Sequence, residues 1–88
     1  MNFEEFTNDV LAHIRNVCME KGVVYQTHMF NEKLEVYFLY PNHACSSVTF
    51  GLLSLIGLKD WREKVAEDIQ RAYELGSKLT DTKVIRNA

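Results

Sequence analysis

Cysteine is scarce in this chain. Cys18 and Cys45 are the only two, so at most one bridge can form and a disulfide framework is excluded. The Cys-x₂₋₄-Cys knuckle of a structural zinc site is missing. Proline and glycine are sparse as well, at one and four residues, and no linker-like Gly/Pro/Ser tract, low-complexity segment or internal repeat appears. Gly51 and Gly57 sit in apolar company without a following Lys-Ser or Lys-Thr, so there is no phosphate-cradling loop. The longest apolar run, Val48 to Leu58, is broken by glycine and serine and is too short for a bilayer span. The opening MNFEEFTNDV is acidic and lacks the basic and apolar regions of a signal peptide. A reducing cytoplasm with free thiols is the expectation.

Neither sign of charge predominates. Residues 1–44 carry six acids and three bases, and residues 45–88 carry six acids and seven bases. The net charge of -2 gives no electrostatic reason to expect a polyanionic partner. Lys59, Arg62, Lys64, Arg71, Lys78, Lys83 and Arg86 are interleaved with acids, so no clean basic stripe forms. Nucleic-acid binding is therefore a weak alternative.

What is present is enough apolar material for a core. Eighty-eight residues at 47% apolar and 11% aromatic fit one small domain spanning 1–88. Phe3, Phe6, Val10, Ile14 and Val17 recur at three- and four-residue steps, which is one face of a helix. Asn2 and Glu5 have capping-box spacing, and Gly22 suits the left-handed position that ends a helix. Cys18, at the edge of that face, is read as a small core residue.

VVYQTHMF and LEVYFLY, separated by NEK, are rich in β-branched and aromatic residues and predict a hairpin. Pairing Met29 with Leu34 through a two- or four-residue loop puts Val23, Tyr25, Thr27, Met29, Leu34, Val36, Phe38 and Tyr40 on one face. Val24, Gln26, His28, Glu35, Tyr37 and Leu39 then share the other. A three-residue loop would bury Gln26 and His28 among Val36 and Phe38, which is costly without partners. Beyond Pro41-Asn42, a third strand is expected up to about Phe50, with a short helical turn closed by Gly57.

The last helix is expected from Trp61 to Leu75, started by Asp60 and Glu63 and stopped by Gly76. Asp60/Lys64, Lys64/Asp68 and Glu67/Arg71 are opposite charges four apart. Residues 77–88 read as a frayed tail or a short edge strand, Lys83 to Arg86. The expected fold is α+β: a two-layer sandwich with a small antiparallel sheet and two helices on one face, in the order α-β-β-(β)-α.

Three places invite chemistry. His43-Ala44-Cys45 places an imidazole and a thiol two positions apart, as a thiol-dependent enzyme could use. No oxyanion loop or hydrolase signature accompanies them, so a turn with Cys45 as a small inward side chain is preferred. A metal would have to draw on His13, Cys18, His28, His43 and Cys45, whose spacing fits no zinc pattern, and no cofactor is expected. His28, Glu35 and Tyr37 could do acid–base work, but more often form a cross-strand set on a solvated sheet face.

By elimination the expectation is a non-enzymatic protein–protein interaction module: an accessory, regulatory or inhibitory protein. Its binding surface would be Val24, Gln26, His28, Glu35, Tyr37 and Leu39. Self-association into a two-fold dimer, with Tyr37 and Leu39 meeting their copies and Lys33 and Lys83 guarding the sheet edges, is part of the same expectation.

Overall fold

A computed structural model describes residues 2–41 and 45–87, with side chains as far as Lys78. The elements are α1 (Phe3–Lys21), β1 (Val24–Phe30), β2 (Lys33–Leu39), β3 (Cys45–Gly51), α2 (Leu52–Leu55) and α3 (Trp61–Asn87). The sheet is antiparallel in the order β1-β2-β3, and α1 and α3 cover one face. This is the expected two-layer α+β sandwich, with the third strand in place.

Both ends of α1 follow from its sequence. Asn2 Oδ1 accepts the Glu5 backbone N–H at 2.7 Å, and the Asn2 side-chain amide donates to Glu5 Oε1 at 3.4 Å. At the other end Gly22 has φ +65°. Gly22 N–H donates to the Met19 carbonyl and Val23 N–H to the Cys18 carbonyl, the double closure that a left-handed glycine permits. Between these caps Phe6, Val10, Ile14, Val17 and Cys18 are buried.

The hairpin adopts the register expected from burial, with Met29 opposite Leu34 and Gln26 opposite Tyr37. Asn31 and Glu32 form the two-residue loop, both at positive φ (46° and 61°), as a type I′ turn requires. Leu34, Val36 and Phe38 on β2 are buried, and β3 continues their face with Val48 and Phe50. Thr27 and Met29 depart from expectation. They share the inner face but are exposed, because β1 is an edge strand and a groove separates its outer half from α1.

α1 and α3 meet directly. The Phe6 and Trp61 rings pack edge-on at 5.1 Å, His13 Nε2–H donates to the Arg62 carbonyl at 2.8 Å, and Lys21 Nζ donates to Gln70 Oε1. Of the three expected charge pairs along α3, Lys64–Asp68 closes at 3.6 Å. The other two do not appear among the described ion pairs, which suits solvated side chains that gain little from one geometry.

α3 does not stop at Gly76. It runs to Asn87, so residues 83–86 are helical and form no edge strand. Gly76 is instead buried where the helix crosses the sheet. A Cβ there would lie 2.7 Å from Ser46 Cβ, and closer still to Tyr40 Oη and Ser46 Oγ. Tyr40 Oη lies 2.8 Å from Ser46 Oγ and donates to the Tyr73 carbonyl at 3.0 Å, while the Tyr40 and Tyr73 rings stack. The glycine marks a close helix–sheet approach and no helix end.

Candidate functional site: the outer face of the sheet

Strand parity sets the composition of the uncovered face. Across β1, β2 and β3 it presents the rows Val24–Leu39–Cys45, Gln26–Tyr37–Ser47, His28–Glu35–Thr49 and Phe30–Lys33–Gly51. All six residues expected to form the binding surface lie here. Among the described residues no helix packs over them. Val24 is 62% exposed, and Leu39 and Phe30 nearly 40%.

The polar set on this face pairs differently from expectation. His28 and Glu35 are register partners, yet Glu35 Oε1 accepts the Tyr37 hydroxyl at 2.6 Å. That hydrogen bond, with some burial and the carboxylate charge behind it, holds the Tyr37 hydroxyl above its ordinary pKa. The His28 ring stacks on Phe30 at 5.6 Å. Tyr37 and Glu35 thus form a fixed polar centre, flanked by an aromatic pair on one edge strand and by Val24 and Leu39 at the other end of the face.

Cys45 corrects the sequence reading. It is not an inward side chain: opposite Leu39 in the register, it takes the outward parity and is exposed. His43 lies outside the described residues, as does the turn it shares. Cys18 behaves as expected, fully buried in the core. Burial pushes its thiol up, with Lys21 opposing weakly. The neutral thiol therefore stabilises the fold fully below the ordinary thiol pKa, and that contribution is lost as pH rises past it. At pH 8 a thiol reagent should label Cys45 at once and Cys18 only as slowly as the protein opens. Raising the pH above about 8.5 should then lower the unfolding midpoint, less so in Cys18→Ala. Equal labelling rates would contradict the placement of Cys18.

Of the five candidate metal ligands, His43 lies outside the described residues and the other four are scattered. His13 sits between α1 and α3, Cys18 is in the core, and His28 and Cys45 occupy different rows of the outer face. Among the described residues no three His, Cys, Asp or Glu side chains are placed to hold a metal, and no helix is long and apolar enough to cross a membrane.

Sequence reading missed Phe30, Ser47 and Thr49 as members of this face. Phe30 was legible, since the two-residue alternation that places Val24 and His28 extends to it. Ser47 and Thr49 needed the register of β3, which became certain only with Val48 opposite Val36. No family model, curated protein or solved structure matches this chain.

Proposed function

We propose that the protein is a non-enzymatic interaction module, acting as an accessory or regulatory protein by binding another protein through the outer face of its sheet. One observation carries this reading: a three-stranded face presents Val24, Leu39 and Phe30 to solvent around the Tyr37–Glu35 hydrogen bond. Apolar and aromatic groups around a small, satisfied polar centre are what protein interfaces concentrate, and the partly buried Tyr37 supplies a rigid anchor. Glu35 is already engaged with Tyr37, so the set is better suited to holding a partner than to moving protons.

A photo-cross-linking residue at position 39, compared with one at the exposed position 71 of α3, tests this in the cell that makes the protein. The expected result is one defined adduct from position 39 and none from 71. Leu39→Asp should abolish binding of the captured partner, and the near-isosteric Cys45→Ser in the same row should change it only slightly. Equal capture at both positions would defeat the reading. Loss of activity with Cys45→Ser would move the assignment to thiol chemistry.

A further inference from the structure

The lysines expected to guard the sheet edges do not do so. Lys33 lies on the central strand β2, and position 83 lies within α3. The β1 edge, VYQTHMF, carries no lysine, arginine, aspartate, glutamate or proline over seven regular residues. Charges, prolines and bulges are how proteins blunt a free edge, and β1 has none of them. β3 lacks charge too, but there Ser46 is tied to Tyr40 and Phe50 is already buried. On β1 the inward-facing Thr27 and Met29 are still exposed.

We propose that two copies of this chain pair β1 to β1 about a two-fold axis at Thr27, forming a continuous six-stranded antiparallel sheet. Three observations converge on this occupant.

The first is the direction of the free backbone groups. In a type I′ hairpin the residues flanking the loop, Phe30 and Lys33, form a hydrogen-bonded pair, and pairing then alternates along the strands. Val24, Gln26, His28 and Phe30 thus bond to β2, while Tyr25, Thr27 and Met29 turn their N–H and C=O groups to the open edge. A dyad at Thr27 makes those outward residues the bonded set of the new ladder.

The second is that this register is self-complementary. Thr27 meets Thr27, Tyr25 meets Met29 on the inner face, Gln26 meets His28 and Val24 meets Phe30 on the outer face. Thr–Thr and aromatic–β-branched neighbours are favourable cross-strand pairs, and sulfur against an aromatic ring is favourable as well. No like charges are opposed.

The third is charge complementarity between the helices. One groove of about 370 Å³ is lined by Arg15, Leu11, Tyr25 and Thr27, and a second of about 260 Å³ by Glu4, Thr7 and Met29. α1 therefore runs antiparallel to β1, with Arg15 near the Tyr25 end and Glu4 near the Met29 end. The dyad brings the Arg15 end of each copy opposite the Glu4 end of the other. Both residues are exposed in the single chain. The pairing uses the edge of the sheet and leaves both outer faces free, side by side.

Sedimentation velocity and light scattering of the full chain, from low to high micromolar concentration, test the proposal. The expected mass rises to twice that of the monomer, and dissociation increases with salt. Thr27→Pro removes an outward N–H without touching the β1–β2 ladder and should weaken the dimer on the order of tenfold or more. Arg15→Glu should weaken it, and adding Glu4→Arg should restore it, with circular dichroism confirming the fold throughout. If Thr27→Pro fails to fold, this charge exchange decides the matter. A strictly monomeric protein overturns the proposal. So does a dimer that ignores the charge exchange and Thr27→Pro but is broken by Leu39→Asp, because that contact is through the face.

Discussion

Phe38→Ala is expected to cost about 3–5 kcal/mol, while Glu35→Ala on the same strand should be near neutral. Phe38 has no exposed surface, sits on the central strand and meets Tyr73 of α3 edge-on at 5.9 Å. Removing its ring leaves a cavity between sheet and helix that neither can collapse to fill, since both are held by their own backbone hydrogen bonds. A small domain has stability of the same order as this loss, so the variant should be largely unfolded at ambient temperature. Glu35 points to the other face, and its loss removes one solvent-accessible hydrogen bond to Tyr37. Urea melts of the two variants measure both. The reverse ranking would mean that the faces of the sheet are inverted.

Gly76→Ala separates local preference from tertiary contact, because the two predict opposite signs. Within a helix, alanine is favoured over glycine by about 1 kcal/mol, so propensity alone makes the substitution stabilising. The new methyl, however, would press on Ser46 Cβ at 2.7 Å, with Tyr40 Oη and Ser46 Oγ closer. Overpacking of this kind costs about 1–3 kcal/mol, more when the neighbours cannot move. Ser46 Cβ is fixed to the β3 backbone, and Tyr40 is held by its bonds to Ser46 and the Tyr73 carbonyl. A net loss of about 1–2 kcal/mol is therefore expected in thermal or urea melts. In the double variant with Tyr40→Phe, relief of the closest contact should make the losses less than additive. A Gly76→Ala protein more stable than the parent would show that α3 does not lie this close to the sheet.

These two residues also mark what could and could not be read from the chain. Phe38 was legible because strand alternation is a local, two-residue rule, and one polar pair, Gln26 and His28, rejects the alternative register. The caps of α1 were legible for the same reason: Asn2, Glu5 and Gly22 act within one turn of the helix. Gly76 was misread because a glycine near the end of an amphipathic stretch has the same local signature whether it terminates a helix or admits a neighbouring strand. Only the crossing of α3 over Ser46 and Tyr40 distinguishes the two.

The outer face divides in the same way. Its six predicted members follow from hairpin parity. That Cys45 joins them depends on its pairing with Leu39, a contact between strands that no local pattern encodes. The partnering of the polar groups was settled locally instead: Glu35 could face both His28 across the strands and Tyr37 two residues along its own strand, and it takes Tyr37.

The sequence by itself determined the elements, the hairpin register and which face of the sheet is buried, because periodicity, capping and the cost of burying amides all act over a few residues. The tertiary structure decided how far α3 extends, which way Cys45 points and that β1, with no charged side chain, lies at the edge of the sheet. Each of those depends on which distant segment comes to lie alongside, and that is settled by packing across the whole chain.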